Sequence, residues 1–198
     1  MIILVRHGQT TSNAQRLLVG QSDPALTELG ERQARALRPL LSGVAQVWTS
    51  PLQRARRTAA LAVPEIEAEV KESFIEVDYG SLDGQPLTVV SAQQWRAFEH
   101  EHTLAFGGGE SLASVDQRVH AALDGLLADQ KSLLHSTEHH LCIVTHMSPI
   151  KSAMTWALGV PGSAAWRMNL FNGSITTITT RSRTPALLNY NVVAQHLD

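Results

Sequence analysis

The chain has 198 residues and a mass of 21.6 kDa, with 43% hydrophobic and 17% charged residues. These values are typical of one globular domain and exclude a disordered chain. The 16 basic and 18 acidic residues leave a net charge of -2, which argues against a general nucleic-acid-binding protein.

Three further features of the sequence narrow the class of protein. The single cysteine, Cys142, excludes an intrachain disulfide and lies in an apolar run, so we expect a buried thiol in a strand. The apolar runs are much shorter than the roughly 20 residues that span a bilayer. Met1 leads directly into an apolar run without an export leader. We therefore expect a cytoplasmic protein with neither nucleic acid nor membrane as a partner.

Short apolar runs alternate with longer helical patterns, which predicts an α/β domain with a parallel sheet. Residues 2–6 are the first predicted strand and residues 45–48 the second. Between them we predict a helix over residues 27–41. Thr27 is its expected N-cap, and Pro39 is expected to kink or shorten its last turn.

The next predicted helix begins at Ser50-Pro51 and continues to about residue 61, with the serine as N-cap and the proline at the first helical position. Residues 66–77 are expected to be extended or irregular. Residues 78–110 are the candidate for an inserted cap or lid. This segment contains a predicted helix over about residues 88–101, and Gly107–Gly109 are expected to form a flexible hinge.

The last third of the chain repeats the alternation. Ser111 is predicted to cap a long helix with apolar residues at helical spacing. Residues 141–145 form the next predicted strand, and Ser148-Pro149 begins a helix to about residue 158. Asn172-Gly173 is a typical two-residue turn, so we expect it to join two strands as a hairpin.

Polar side chains follow several of these predicted strands. In parallel α/β sheets, ligands bind beyond the carboxyl ends of the strands. Arg6-His7-Gly8 follows the first strand, Arg54 lies in the first turn after the second, and His146 follows the strand at 141–145. Glu76 lies near the end of the extended stretch. We expect these residues to share one pocket.

The residue types at this edge suit phosphate chemistry. An uncharged imidazole can attack phosphorus and form a phosphohistidine. Guanidinium groups hold phosphate oxygens bidentately, and a second imidazole can donate to the same oxygens. A protonated Glu76 can supply the proton that the leaving alkoxide needs, and the resulting carboxylate can then deprotonate water. Gly8, which has no Cβ, would let the backbone approach the phosphoryl group.

Each candidate taken alone also has a structural interpretation. A histidine after a strand is more often a hydrogen-bonded structural residue, and Arg54 could be a solvated helix arginine like Arg56 and Arg57. His100 and His102, flanked by glutamates, could suggest a metal site. We favour a solvated face there and expect no metal, because no other ligand cluster supports one.

Five segments together resemble the motifs of the histidine phosphatase superfamily, in its phosphoglycerate-mutase-like branch. They occur in that family's order, at similar spacing, between residues 4 and 148. The segments are Leu4–Asn13, followed by Gly20, Asp23, Leu26-Thr27, Gly30 and Gln33-Ala34; Ser50–Ala55, followed by Thr58-Ala59; Glu76–Gly80, followed by Asp83-Gly84; Gly108–Ser111; and Val144–His146. A chance match of the whole set is very improbable.

The resemblance implies a fold and a role for each matching residue. The implied fold has three layers, α/β/α, with a mostly parallel mixed sheet and a small cap inserted at about residues 78–110 of a single domain over residues 1–198. His7 is implied as the phosphate-accepting nucleophile and Glu76 as the proton donor. The rest of the implied phosphate pocket is Arg6, Arg54 and His146. Substrate-binding positions are expected at Gly8, Asn13, Gly20, Tyr79 and Met147. The family uses no metal for this chemistry, and we expect no cofactor.

Met147 departs from the family's pattern, because many members have two glycines after the second histidine. Its amide can still point at an oxyanion, but its side chain narrows the pocket. A similar replacement is familiar in an actinobacterial subset of these phosphatases, some of which are fused to a ribonuclease H domain. The change affects substrate identity more than chemistry.

The composition of the cap favours a phosphatase over a mutase, and the branch contains both. Residues 79–110 contain one arginine, Arg96, and no lysine, which makes them a poor electrostatic host for a bisphosphate. Aromatic and aliphatic residues of the same stretch could cover an apolar or neutral leaving group; they are Trp95, Phe98, Leu104 and Phe106. We therefore expect a metal-independent phosphatase for a small phosphomonoester.

Three alternatives stay open at this point. They are phosphoryl transfer of the phosphoglycerate mutase type, a non-catalytic protein that binds phosphate or a protein partner, and a nucleotide-processing role suggested by the fused relatives. Candidate substrates include sugar phosphates, cobamide-precursor nucleosides and nucleotides. A homodimer is also open, since the C-terminal hairpin could pair with another chain or close the sheet.

Overall fold

The N-terminal apolar run forms the strand around which the sheet is organised. A computed structural model describes residues 1–129, 139–181 and 184–194. In it β1 covers Ile2–Arg6 and pairs in parallel with β4, His140–Thr145, and antiparallel with β5, Ser174–Thr179. β2, Val44–Thr49, lies parallel to β4 on its other side. The first two predicted strands and the strand at 141–145 are thus confirmed.

Two short edge strands complete the mixed, mostly parallel sheet. β3, Glu69–Val70, pairs in parallel with β2, and β6, Ala186–Val193, pairs antiparallel with β5. The order of the described strands is β3-β2-β4-β1-β5-β6. Because β1, β2 and β4 are mutually parallel, their carboxyl ends meet at one edge.

Helices cover both faces of this sheet and make three layers. On one face Ile3 and Val5 pack with residues of α2, Glu28–Ala36, and α3, Gln53–Ala62, or of the turns that follow them. On the other face Ile2 and Leu4 pack with residues of α5, Leu112–Asp129, and α6, Met147–Leu158. Alternate residues of β1 therefore face opposite layers, which explains why its sequence is continuously apolar. Cys142 lies fully buried in β4, as predicted.

The helix boundaries follow the local chemistry of the chain. Thr27 caps α2, as predicted, by accepting the Gly30 N–H at 3.0 Å. The α-helix ends at Ala36, and a 3-10 turn over Arg38–Leu41 carries Pro39 near its start. Likewise Ser111 Oγ accepts the Ser114 N–H at 3.2 Å just before α5. Two of the predicted caps are therefore confirmed.

The predicted start of the helix that follows β2 is wrong. α3 begins at Gln53, with Leu52 as an N-cap that makes no side-chain hydrogen bond. Ser50 Oγ instead accepts the Leu52 N–H at 3.3 Å and pairs with the ring of His146. Ser50, three positions before the first residue of the helix, is thus used for a turn and for a contact with a histidine rather than as a cap.

The hairpin predicted at Asn172-Gly173 is also wrong. The stretch before it contains a 3-10 helix, Gly162–Arg167, instead of a strand, and both hairpin strands, β5 and β6, follow it. Gly173 does adopt the positive φ of a turn, at 65°, but its N–H faces the carbonyl oxygens of Arg6 and His7, 3.1 Å from each. The dipeptide indicates a turn correctly and does not indicate what the turn connects.

The segment 78–110 carries one α-helix and packs closely on the rest of the molecule. α4, Ala92–His100, is preceded by 3-10 turns at Gly80–Leu82 and Leu87–Val89. Gly107 and Gly109 do not form an open hinge: a Cβ on Gly107 would lie 2.5 Å from the Tyr79 carbonyl oxygen, and one on Gly109 would lie 2.2 Å from that of Asp78. These glycines let two backbone segments cross at close range. Ahead of α2, α1 is the single turn Thr11–Ala14.

No helix within the described ranges is both long and apolar enough to cross a membrane.

Candidate active site

Two histidines that are distant in sequence meet at the carboxyl edge of the sheet. Arg6 in β1 is in register with Thr145 in β4, so the residues that follow each strand, His7 and His146, lie side by side. Their ring centroids are 5.0 Å apart with an interplanar angle of 61°. Both side chains are buried. The expectation that strand ends would bring these two residues together is met.

His7 is held in one tautomer by the backbone of the next residue, Gly8. Its Nδ1 lies 2.7 Å from the Gly8 carbonyl oxygen, which can only accept, so Nδ1 carries the hydrogen and Nε2 keeps its lone pair. The His7 N–H donates to the Thr145 carbonyl at 3.0 Å. Its carbonyl accepts the Gly173 N–H and, at 3.2 Å, Asn172 Nδ2. The ring is therefore fixed before any ligand binds.

Burial keeps both imidazoles neutral. Burial, with the nearby charges of Arg54 and Arg6, lowers the pKa of His7 well below its usual value. Burial, Arg54 and His7 do the same to the pKa of His146. His146 Nε2 lies 2.7 Å from Ser50 Oγ, and its buried Nδ1 has no hydrogen-bond partner in the part of the chain that the structure describes.

Arg54 is a buried residue and not a solvated helix arginine. Its Nη1 donates to the Ser22 carbonyl and its Nη2 to the Gly20 carbonyl, each at 2.6 Å. Asp23 lies 3.6 Å from Nη1. By contrast Arg57 is half exposed and pairs with Glu31 on the surface. The guanidinium of Arg54 is thus oriented by one loop, residues 20–23.

Arg6 also presents a guanidinium to the site, from a partly buried side chain. Its Nη1 donates to the Leu170 carbonyl. The Nε atoms of Arg6 and Arg54 are both buried without a hydrogen-bond partner among the described residues. Burial lowers the pKa of both groups, and the charge of Glu76 opposes that shift. Guanidinium groups stay protonated under such conditions, so the edge of the sheet holds two cations, of which Arg54 is buried and Arg6 partly buried.

Glu76 lies across the N-terminus of α6. Its Oε1 accepts the Val77 N–H at 2.8 Å and the Ser148 N–H at 3.2 Å, and its Oε2 accepts the Met147 N–H at 3.1 Å. A carboxylate at a helix N-terminus is electrostatically favoured. The Met147 amide, expected to point at an oxyanion, therefore donates to Glu76 in this structure.

A cavity of about 140 Å³ opens beside Arg6, His7 and Glu76. Arg54 and His146, which were expected to share this pocket, lie close by but are not on its wall. Predicted residues on its wall are Arg6, His7, Asn13, Glu76, Tyr79 and Met147. The remaining wall residues are apolar; they are Leu17, Leu18, Val19, Leu87 and Trp95. Of the aromatic residues expected over a leaving group, only Trp95 lines this cavity, because Phe98 and Phe106 stack on each other at 4.4 Å in the core.

Three predicted substrate-binding residues also serve the scaffold. The Gly8 N–H donates to Thr58 Oγ1 at 3.1 Å, and a Cβ on Gly8 would lie 2.2 Å from the Gly30 carbonyl oxygen. Gly8 thus permits a close approach to α2, and it does not line the cavity. Gly20 holds Arg54, and Asn13 Oδ1 caps α1 through the Thr10 N–H at 3.1 Å.

The comparison with protein families shows which family this chain belongs to. The family model described as histidine phosphatase superfamily (branch 1) matches residues 2–193. The chain belongs to this superfamily. The fold agrees, since solved structures of the family align over nearly the whole chain.

Relatives of this histidine phosphatase family member carry the names of both enzyme types. The chain is 32% identical to phosphoserine phosphatase 1 of Hydrogenobacter thermophilus, covering 96% of this chain and 92% of that one. It is 34% identical to the Yersinia enterocolitica protein named probable phosphoglycerate mutase GpmB, covering 89% and 83%. The chain spans about half the length of three mycobacterial relatives, to which it is 30% identical.

A solved structure of a protein named as a phosphatase is also similar to this chain. The phosphoserine phosphatase mutant of Entamoeba histolytica in complex with phosphoserine has a TM-score of 0.85 and 25% identity, covering 99% of this chain and 98% of that one. Phosphatase or mutase chemistry is therefore the activity class of the family to which this chain belongs.

Four residues contact the candidate site residues in ways that the sequence did not predict. Ser50 contacts His146, Thr58 accepts from Gly8, Leu170 accepts from Arg6, and Asn172 joins His7 to Asn13. Asn172 Nδ2 lies 3.3 Å from Asn13 Oδ1. The sequence marks Asn172-Gly173 as a turn, but the contact of Asn172 with His7 depends on the tertiary fold.

The histidines of the segment 78–110 lie apart from this site. His102 Nδ1 lies 3.3 Å from Asp116, with which it forms a polar pair. Over residues 1–129, 139–181 and 184–194, no group of three or more His, Cys, Asp or Glu side chains is placed to hold a metal ion.

Proposed function

We propose that this histidine phosphatase family member hydrolyses a small phosphomonoester through a phosphohistidine formed on His7, without a metal. The 2.7 Å contact between His7 Nδ1 and the Gly8 carbonyl carries the proposal, because it leaves Nε2 as the nucleophilic atom. The lowered pKa of His7 keeps that nitrogen unprotonated at neutral pH, so the nucleophile needs no separate base.

The positive charges of Arg6 and Arg54 can balance the negative charge of a phosphate dianion. Arg6 and Arg54 each have an Nε–H without a partner among the described residues, and His146 Nδ1 has none there either. Oxyanions held by preorganised donors in a buried site are stabilised more than in water. We assign these three side chains to the phosphoryl oxygens.

Glu76 is assigned both proton transfers. In the first step the lone pair of His7 Nε2 forms a P–N bond as the P–O bond to the leaving group breaks, and protonated Glu76 gives its proton to the departing oxygen. In the second step water attacks phosphorus, Glu76 takes a proton from that water, and the P–N bond breaks. Oε2 suits this role, because it accepts only the Met147 N–H and borders the cavity.

The cavity wall supports a neutral or apolar leaving group. The apolar residues of the wall present no charge to the substrate; they are Leu17, Leu18, Val19, Leu87 and Trp95. We propose that residues 78–110 act as the cap of a single domain. A bisphosphate, which a mutase must hold, would find Arg96 as the one basic residue of that cap.

A substrate panel separates phosphatase from mutase. We expect phosphate release from aryl and alkyl monoesters, sugar phosphates or phosphoserine, with negligible isomerisation of 3-phosphoglycerate measured on the same enzyme. Efficient isomerisation with negligible release would reverse the assignment. A strong preference for nucleoside monophosphates would favour the nucleotide-processing alternative.

One variant separates an enzyme from a non-catalytic binding protein. We expect His7→Ala to abolish turnover of every ester while inorganic phosphate still binds, because Arg6 and Arg54 remain in place. Unchanged turnover by His7→Ala would remove the nucleophile assignment. Phosphate binding without turnover by the wild-type chain would leave the binding protein as the better description.

A further inference from the structure

Asp83 connects the segment 78–110 to the loop that orients Arg54. Its Oδ1 accepts the Gly20 N–H at 2.9 Å and Ser22 Oγ at 2.7 Å, and its Oδ2 accepts the Ser22 N–H at 2.6 Å. One carboxylate therefore takes three hydrogen bonds from two residues of a loop more than sixty positions away in sequence.

The same two residues hold the phosphate-site arginine from their other side. The carbonyls of Gly20 and Ser22 accept Arg54 Nη2 and Nη1, each at 2.6 Å. The N–H groups of this loop are thus held by Asp83, and the C=O groups of the same loop hold Arg54. Any shift of Gly20 and Ser22 relative to Asp83 moves the guanidinium acceptors with them.

A short backbone ladder extends this link to the cavity wall. The Leu18 N–H donates to the Gln85 carbonyl at 2.8 Å, and the Gly84 N–H donates to the Leu18 carbonyl at 2.9 Å. The Leu87 N–H donates to the Arg16 carbonyl at 3.0 Å. The ladder carries Leu18 and Leu87, which face the leaving group in the proposed function, and Asp83 stands at its end.

The charges around Asp83 suit this link. Burial would raise the pKa of Asp83, but the hydrogen bonds from Gly20 and Ser22, with the charge of Arg54, outweigh it and the pKa is lowered. The carboxylate is therefore ionised at neutral pH and accepts all three hydrogen bonds. The other carboxylates acting on Arg54 are Glu76 and Asp23, and neither reaches the N–H groups of Gly20 or Ser22.

We propose that Asp83 is a positioning residue, which sets the orientation of Arg54 through the backbone of Gly20 and Ser22 and ties it to the wall around the leaving group. The inference rests on the proposed function only in its use of Arg54 as a phosphate ligand. It predicts that phosphate affinity depends on a carboxylate that does not touch phosphate.

Asp83→Asn is the direct test, because it keeps the shape and turns one acceptor oxygen into an NH2 group that faces an N–H. We expect a loss of about 10- to 100-fold in kcat/KM for an aryl phosphate and in calorimetric affinity for inorganic phosphate. Asp78→Asn is the matched control: Asp78 lies in the same segment, and its carboxylate accepts the nearby Gly80 N–H at 2.7 Å. We expect it to stay within about threefold of wild type.

A double-mutant cycle with Arg54→Ala distinguishes positioning from general support of the fold. If Asp83 acts through Arg54, adding Asp83→Asn to Arg54→Ala should cost less than about threefold in phosphate affinity, because the group that it orients is gone. The same 10- to 100-fold loss in both backgrounds would overturn the proposal.

Two outcomes outside the cycle are also decisive. If Asp83→Asn fails to fold, Ser22→Ala removes only the hydroxyl contact. We expect this variant to lose less phosphate affinity, and we expect that loss to vanish in the Arg54→Ala background. A loss that persists in that background contradicts the link.

If the wild-type chain binds no phosphate and hydrolyses no ester, the proposed function and the positioning role both fall. Phosphate binding without hydrolysis overturns the proposed function alone.

Discussion

The site has a polar end at the sheet edge and an apolar end on the cavity wall, and the two are built by different means. At the polar end, His7 and Arg54 are held by backbone carbonyls, and His146 is held by a serine hydroxyl. At the apolar end, Trp95 and Leu87 are held by side-chain packing and one short ladder. The first end fixes charged and polar groups at chosen atoms, and the second offers a smooth apolar wall. Phosphate chemistry should therefore depend on the first end, and substrate choice on the second.

The largest effect that tests this contrast is expected at Glu76. Glu76→Gln removes the transferable proton, so we expect a loss on the order of 10²–10⁴-fold in kcat for alkyl phosphates. Activated aryl phosphates, whose leaving groups need little protonation, should lose much less. Steady-state kinetics on matched alkyl and aryl esters measure the difference.

Glu72→Gln is the matched control for that variant, since Glu72 is an exposed residue of a nearby 3-10 turn. We expect it to behave as wild type. An equal loss of rate by Glu76→Gln on both ester classes would count against proton donation and would leave Glu76 as a helix-capping carboxylate only.

A second effect should distinguish the two ends by pH. His7 and His146 have pKa values well below normal in the folded state and about 6.5 when unfolded. The unfolded chain therefore binds more protons below pH 6.5, and the free energy of unfolding should fall as the pH drops through that window. The slope should approach about 1.4 kcal/mol per pH unit for each imidazole that stays neutral when folded.

Urea unfolding at several values between pH 7.5 and pH 5 measures this slope. His146→Gln should reduce the slope of the unfolding free energy against pH by the contribution of one imidazole. Trp95→Phe, at the apolar end, should leave that slope unchanged. Stability that rises on acidification through this range would show that these rings are charged in the folded protein.

The smallest effect is expected at the apolar wall. Trp95→Ala removes the aromatic surface that borders the cavity, and we expect a loss of about 10-fold in kcat/KM for esters with apolar leaving groups. Glycerol phosphate, with a polar leaving group, should lose less than about threefold. Trp95→Phe should give an intermediate loss. Equal losses on both substrates would mean that Trp95 supports the fold and does not select the substrate.

The same two ends differ in how well the sequence predicts them. The strands at Ile2–Arg6 and His140–Thr145 are buried on both faces, so their apolar runs are unbroken and easily recognised. His7 and His146 follow these strands directly, so a strand end and a reactive residue type locate both of them. Arg54, inside α3, and Glu76, after a 3-10 turn, are not marked in this way.

The supporting contacts depend on tertiary structure that no local pattern records. Ser50 has the ordinary appearance of a helix cap, yet its hydroxyl pairs with a histidine 96 positions later. Gly107 and Gly109 have the composition of a hinge, but they permit a tight backbone crossing. Asn172-Gly173 announces a turn, and only the fold places that turn against His7.

Trapping the covalent intermediate tests the central claim most directly. Rapid acid-free quenching during turnover of a ³²P-labelled monoester, followed by peptide mapping, reports which side chain carries the phosphoryl group. We predict alkali-stable, acid-labile label on His7 at a fraction of one group per chain, and none on His7→Gln. Label on any other residue, or sustained turnover by the wild-type enzyme with no labelled protein at any time point, would contradict the claim.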